Sequence, residues 1–319
     1  MDRARSALAL VLMMGLGAAA TQPATAPSPQ DSPPPISIDK AKGMSHFTQL
    51  DPRYFGEEGK LYCGPTAVSD CMLYFAAHGY PKLNLLDVAD AELSQTALVE
   101  RLASDKYMDT GLGPLRFGTT VPRLIFGMRK YVRERGYTIR RCQYAGISWK
   151  PQGGNVYCGE KVDLDWIKQV VADPNGAAWL EIGWYTRGKT PGEWFRHSGH
   201  WVAVVGYGSD GSQKDPHLLL LDNPAMGARI VLPGRGPLTA PGRTRPITIA
   251  DQAVILTPSG PGTFINDEQT NRRTVDGDGL FQVTGPGLPF SHKKIDAAFV
   301  QGAVVLIVGP PKEAQPSTR

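Results

Sequence analysis

Helix-forming and strand-forming patterns occupy different parts of this 319-residue chain. Between residues 63 and 176, four segments carry apolar residues at helical spacing, as in "CGPTAVSDCMLYFAAHG". After residue 176, short β-prone runs such as "AAWLEIGWY", "HWVAVVGYG" and "QAVILTP" are separated by Gly, Pro and Asp. Helices followed by consecutive strands predict an α+β fold, with helices packed on an antiparallel sheet, rather than a parallel doubly wound sheet.

The predicted helices cover residues 63–79, 84–105, 119–136 and 163–176. Pro65 suits the first turn of the first helix, because the missing N–H of proline costs nothing there. Gly136 is placed to end the third helix, and Asp163 is placed to open the fourth. The first helix is therefore expected to begin at Cys63.

The N-terminus carries the pattern of an exported protein. A basic "MDRAR" is followed by the uncharged, apolar "SALALVLMMGLGAAA" and then by small residues, which predicts a signal peptide over residues 1–25. The Pro/Ser-rich residues 26–42 are interpreted as a linker without a core. A bilayer span needs ~20 apolar residues, so the apolar run is short for a span and no stable span is expected after cleavage of the signal peptide. The alternative is that the segment is retained as an N-terminal anchor. The expected location is secreted or periplasmic.

The rest of the chain is predicted to hold one domain, residues 43–258, and a C-terminal extension, residues 259–319, that could pack on the same sheet. "VDGDG" at residues 275–279 hints at a calcium loop, but Gly287 stands where that loop needs an acidic residue. We interpret it as a turn and expect no metal or cofactor. The net charge of +4 and the lack of a large basic cluster argue against a nucleic-acid partner.

The chain has only 4 cysteines, too few for a disulfide scaffold. Cys142 and Cys158 flank a turn-rich stretch and could form a local disulfide, although the sequence leaves this open. Cys63 and Cys71 are eight residues apart on one predicted helix, hence ~12 Å apart and beyond disulfide reach. Cys71 is most simply a core residue, and Cys63 remains without an obvious partner.

Cys63 is a candidate nucleophile because a helix N-terminus favours an anion and lowers the pKa of a thiol. A general base is then required, and His200 is predicted to open the strand "HWVAVVGYG". Asp222 ends the next strand, so a hairpin would bring it beside His200 as the orienting acid, with Asn223 as the rival. Each residue alone also has a structural interpretation; the inference depends on the three together.

The motifs "CGPTAV", "GHWVAVVGYG" and "LDNP", in this order, resemble those of papain-like cysteine peptidases of the bacteriocin-leader-processing (double-glycine leader) branch. The resemblance runs from about Gln49 to Pro224 and implies a papain-like fold. It also implies that Cys63 is the nucleophile, His200 the general base and Asp222 the orienting acid. The expected function is that of an exported peptidase or amide hydrolase acting on a peptide or protein substrate through a thioester acyl-enzyme.

Two features depart from that family. Its members usually carry a glutamine a few residues before the cysteine to bind the oxyanion, but here Glu57 and Glu58 occupy this region and the nearest glutamine is Gln49. We retain Gln49 as the candidate oxyanion residue. The transporter to which such peptidases are fused has no counterpart here, so cleavage of double-glycine leaders is not implied.

Two other functions stay open at this stage. A catalytically weak or inactive papain-like module could serve for binding at the cell surface or in the periplasm, which the departure at Gln49 favours. An acyltransferase would use the same chemistry with an amine in place of water as the acceptor.

Overall fold

Four α-helices form close to the predicted positions in the computed structural model: α1 Cys63–Ala77, α2 Ala91–Ala103, α3 Val121–Glu134 and α4 Leu164–Ala172. Asp163 caps α4 by accepting hydrogen bonds from the backbone N–H groups of Asp165, at 2.8 Å, and Trp166, at 3.3 Å. Gly79 follows α1 with φ of +106°, a conformation that glycine adopts without strain. Helix α1 begins at Cys63, as predicted.

The structure describes residues 36–50, 54–86, 90–111, 118–151, 155–208, 217–225, 252–266, 271–275, 280–288 and 295–311. The predicted signal peptide, most of the predicted linker and residues 276–279 of the "VDGDG" turn lie outside these ranges. Within the described residues, no helix is both long and apolar enough to cross a membrane.

Eleven strands join in one sheet within the described residues. They are β1 Ile36–Asp39, β2 Tyr137–Gly146, β3 Tyr157–Gly159, β4 Gly176–Arg187, β5 Glu193–Gly208, β6 Leu218–Asp222, β7 Ala253–Pro258, β8 Gly262–Asn266, β9 Asn271–Val275, β10 Phe281–Thr284 and β11 Ala297–Pro311. The pairings are antiparallel except for β2 with β3 and β5 with β8. Helices packed on a large, mostly antiparallel sheet are the α+β architecture expected from the sequence.

Six of these strands close into a ring. Strand β4 pairs with β5, β5 with β6, β6 with β7, β7 with β10, β10 with β11, and β11 again with β4. Apolar side chains from all six strands and from α4 form one buried cluster, whereas a second cluster joins α1, α2 and α3 to the other face of the sheet. The closed ring leaves few free edges, because each member has a partner on both sides over part of its length.

The segment from residue 259, expected as an extension, contributes β8 to β11 to this sheet. Strand β11 pairs with β2, β4 and β10, which places it in the interior of the sheet. Strand β5 corrects one expectation: it begins at Glu193, so His200 lies within the strand rather than at its start. His200 is consequently held by pairing on both sides of its position in the chain, opposite Ile182 of β4.

Candidate active site

Helix α1 places the Cys63 side chain at its N-terminus. The first backbone hydrogen bond of the helix runs from the N–H of Thr66 to the carbonyl of Tyr62, at 2.9 Å, so the N–H groups of Cys63 and Gly64 precede the helical ladder. A Cβ at Gly64 would lie 2.8 Å from the Cβ of Thr119, so only glycine lets the helix start approach the segment before α3 this closely. Cys63 itself is 8% exposed.

The sulfur of Cys63 lies beside the peptide that joins His200 to Trp201. The backbone N–H groups of Trp201 and Gly64 are close enough to this sulfur to act against the rise in the thiol pKa that burial causes. Strand β6 ends at Asp222, opposite Ala203, so Trp201 lies two residues beyond the paired region. Cys63 and Trp201 belong to the same buried apolar cluster, on the face of the sheet that carries α1.

The register of the β5–β6 hairpin decides which residue meets His200. Side chains of paired residues share a face of the sheet, and successive side chains alternate between faces. Asp222 pairs with Ala203, so Asp222 shares the face of Ala203, whereas His200, three residues away, is on the opposite face. The next residue, Asn223, returns to the face of His200. The hydrogen bond accordingly runs from His200 Nε2 to Asn223 Oδ1, at 2.7 Å.

Asp222 therefore does not orient His200, which corrects the sequence-based expectation. Its carboxylate instead accepts a hydrogen bond from His46 Nδ1 at 2.8 Å, and both of these side chains are buried. Asn223, which the sequence left as the rival, occupies the orienting position. The motif "LDNP" places the two residues side by side, and only the strand register separates their roles.

The surroundings of Asn223 fix the tautomer of His200. The N–H of Ala225 donates to Asn223 Oδ1 at 3.0 Å, and Asn223 Nδ2 donates to the carbonyl of Gly287 at 3.1 Å. These two contacts assign the amide oxygen to the side that faces the imidazole, so Nε2 of His200 carries the proton. Nδ1 is then the nitrogen with a free lone pair, and it makes no hydrogen bond to any described residue.

Burial leaves both central groups of the site neutral. It raises the pKa of the Cys63 thiol, although the nearby N–H groups of Trp201 and Gly64 act in the opposite direction. It also lowers the pKa of His200, against the hydrogen bond to Asn223. The sequence predicted a thiol pKa lowered by the helix N-terminus; this is wrong because desolvation of the buried sulfur outweighs the helix. The resting site thus holds a thiol and a neutral imidazole.

A neutral pair predicts a distinctive alkylation profile for Cys63. With the thiol pKa raised, the thiolate fraction grows about tenfold per pH unit through the neutral range, so we expect the rate of carbamidomethylation to rise continuously from pH 6 to pH 9. Iodoacetamide labelling of Cys63, quantified by peptide mass spectrometry, measures this rate. A plateau below pH 7 would instead indicate a preformed thiolate–imidazolium pair.

Gln49 lies between the two halves of the site, but its amide hydrogens are engaged. Its Nε2 donates to the carbonyls of Gly59, at 2.9 Å, and Lys60, at 3.2 Å, in the turn that leads to Cys63. Its backbone N–H donates to the carbonyl of Pro224 at 3.0 Å. This geometry makes Gln49 a brace between the two segments and does not present its amide to an oxyanion; the N–H groups at the start of α1 are better placed.

Sequence reasoning missed His46 and its neighbours. His46 contacts Asp222 across 176 positions of the chain. Asp70 and Gln95 belong to the same buried group, with Gln95 donating to Asp70. Such contacts between segments far apart in the chain leave no local periodicity, so no sequence signal pointed to them.

All four cysteines are free thiols. Cys142 is half-buried on β2 and Cys158 is exposed on β3, and no disulfide joins them. Among the residues that the structure describes, no group of three or more His, Cys, Asp or Glu side chains is placed to hold a metal ion.

The chain was compared with known proteins in three ways. A scan against protein-family models, a search of curated proteins and a search of solved structures found no match. A function can therefore be inferred only from the residues of this chain and from their geometry.

Proposed function

We propose that this chain is a papain-like, exported peptidase or amide hydrolase in which Cys63 is the nucleophile, His200 the general base and Asn223 the orienting residue. The observation that carries the proposal is the position of the Cys63 sulfur against the N–H that directly follows His200, on a histidine whose Nε2 is occupied by Asn223. The set Cys–His–Asn recurs in papain-like proteases, which agrees with the resemblance of the "CGPTAV" and "GHWVAVVGYG" motifs.

The first half of the reaction forms an acyl-enzyme. His200 Nδ1 takes the proton of the Cys63 thiol as the sulfur attacks the carbonyl carbon of the substrate, which forms the C–S bond. The N–H groups of Cys63 and Gly64, at the positive end of α1, stabilise the oxyanion. The intermediate collapses when the imidazolium of His200 returns its proton to the leaving amine, and a thioester to Cys63 remains.

The second half regenerates the thiol. Water enters, His200 Nδ1 takes one of its protons, and the resulting hydroxide adds to the thioester carbonyl. Collapse breaks the C–S bond, releases the acid and returns the proton to the Cys63 sulfur. In both halves of the reaction, Asn223 keeps the proton of His200 on Nε2, so that Nδ1 is the nitrogen that accepts and returns the proton. A neutral resting pair suits this scheme, because a base of lowered pKa is unprotonated and ready near neutral pH.

The test is a search for new peptide ends. The purified protein is incubated with a proteome-derived peptide library, and new termini are counted by mass spectrometry against a sample blocked with iodoacetamide. We expect new termini in the active sample only. Hydroxylamine added to the same reaction reports hydroxamates if acyl groups pass to amines. If the library yields no new termini and no hydroxamates, the proposal is contradicted.

A second candidate function, a binding module without turnover, is favoured by the buried thiol and by the engaged amide of Gln49. The two candidates differ in how Cys63 depends on His200. In an enzyme, His200→Gln slows the acylation of Cys63 by an activated peptide ester, because the base that takes the thiol proton as the C–S bond forms is lost. In a binding module, the acylation rate would not change.

A further inference from the structure

Residues 46–49 run along the turn that follows β6 and hold it on both sides of Asn223. On the near side, His46 Nδ1 bonds to Asp222 at 2.8 Å. On the far side, the carbonyl of Pro224 accepts hydrogen bonds from Thr48 Oγ1, at 3.1 Å, and from the N–H of Gln49, at 3.0 Å. The residue between these anchors, Asn223, is the one whose amide orients His200.

His46 is held in the buried cluster by contacts to its ring nitrogens. Its Nδ1 donates to Asp222, and Gln252 Nε2 lies 3.2 Å from Nδ1 and 3.4 Å from Nε2. Burial alone would lower the pKa of His46, but Asp222, helped by Ala41 and by the more distant Asp39, raises it above the ordinary value. These contacts fix the orientation of His46, and its charge-assisted hydrogen bond transmits that constraint to Asp222.

The far side of Asp222 is closed by a second carboxyl group, that of Asp70. Asp70 is fully buried in α1, receives the amide of Gln95 and the N–H of Phe47, and contacts Asp222. The Oδ2 atoms of Asp70 and Asp222 are both buried and have no donor among the described residues. A proton held between the two carboxyl groups satisfies both oxygens, in agreement with a pKa of Asp70 raised well above its usual range by burial and by the Asp222 charge.

We propose that His46 is a positioning residue for His200: together with Asp70 it holds Asp222 from two sides, and this fixes the adjoining Asn223 whose amide orients the imidazole. The inference rests on the proposed function, since it assigns His46 a role in the same reaction. His46 acts through Asp222 and Asn223 and does not itself contact the reacting atoms. This role explains why strand β6 ends in the buried carboxylate of Asp222, although Asp222 does not contact His200.

The arrangement depends on pH in a defined direction. The groups that face the cluster are Asp39 from β1, Asp222 from β6, and Asp70 and Cys71 from α1, with Lys40 as the nearby cation. The pKa values of His46 and Asp70 are both raised, so the positive charge of His46 and the proton of Asp70, which strengthen the hold on Asp222, are present at low pH and are lost as the pH rises. Positioning of His200 is therefore expected to weaken on the alkaline side.

Nitrogen NMR of the histidine rings tests this independently of turnover. In the ¹⁵N-histidine-labelled full chain, the His200 signals are assigned by their loss in His200→Gln, and wild type should show an Nε2–H tautomer. His46→Leu is expected to give a mixed tautomer at His200, and His46→Asn, which keeps a donor near the position of Nδ1, is expected to restore the single one. Asn223→Ala, which removes the orienting amide, is the reference for complete loss of the preference.

Kinetics give the second readout. With a peptide cleaved by wild type, His46→Leu should lower kcat by about 10- to 100-fold with KM changed less than threefold, the loss usual for a group that orients a functional histidine.

An NMR titration of the wild-type protein avoids the question of whether a variant folds: the His200 Nε2 signal should shift with the same midpoint as the deprotonation of His46. In Asp70→Asn, whose amide can donate to Asp222 without titrating, the tautomer should persist to higher pH.

A single Nε2–H tautomer in folded His46→Leu, or a His200 signal that does not follow the titration of His46 in wild type, would overturn the inference. Failure of the proposed function gives a different pattern. In that case no peptide is cleaved by any variant, while the tautomer of His200 still responds to His46.

Discussion

Replacement of Cys63 by alanine is expected to reduce peptide cleavage to the background rate, a fall of at least ~10⁴-fold in kcat. The reason is that Cys63 supplies the proposed nucleophile, and the other thiols lie elsewhere, in the middle of α1 and on β2 and β3. The substitution is small and removes only a sulfur, so the packing of the helix start should survive. Initial rates with a cleaved library peptide, measured for both proteins at equal concentration, give the ratio.

The matched control is Cys158→Ala. Cys158 is an exposed free thiol, and its loss should leave the rate unchanged within twofold. If Cys63→Ala retains a tenth or more of the wild-type rate, the nucleophile is another group and the proposed mechanism is wrong. If Cys158→Ala loses the activity instead, the reactive thiol has been misassigned.

The second large effect is expected for His200→Gln, with a fall in kcat on the order of 10³- to 10⁵-fold. Glutamine can still donate to Asn223, but it cannot take the proton of the buried thiol, whose pKa is raised. In wild type, the lowered pKa of His200 should also keep kcat/KM high down to pH values below the ordinary histidine range near 6.5, and the rate should fall only as Nδ1 is protonated.

His197→Gln is the control on the same strand. His197 is exposed, three residues before His200, and its ring bonds only to the hydroxyl of Thr186, at 3.0 Å, among the described residues. Its replacement should leave both the rate and the pH profile unaltered. Equal losses of rate in the two variants would indicate a general effect on β5. An unchanged rate in His200→Gln would show that His200 is not the general base.

Local patterns were sufficient for the helices and for the central hairpin. Pro65 and the apolar spacing predicted α1 with Cys63 as its first residue, since both signals act within one or two turns. The β-prone runs on either side of residues 209–216 predicted the pairing of β5 with β6. These features depend on neighbours in the chain, which a sequence displays directly.

The register of the pairing between β5 and β6 could not be predicted from the sequence. A slip of one residue exchanges the faces of Asp222 and Asn223, and the pattern "LDNP" offers two polar side chains of similar size. The register is set by the whole ring of strands, which closes only when β11, from the end of the chain, pairs with β4. The raised pKa of Cys63 likewise follows from burial by segments distant in sequence.

The most direct test of the central claim is to map the thiol that reacts with an epoxide-type cysteine-peptidase inhibitor. We expect stoichiometric modification of Cys63 in wild type, lost in His200→Gln and kept in His197→Gln, while the exposed Cys158 stays largely unmodified. Modification of Cys158 with Cys63 intact, or labelling of Cys63 that is indifferent to His200, would contradict that claim.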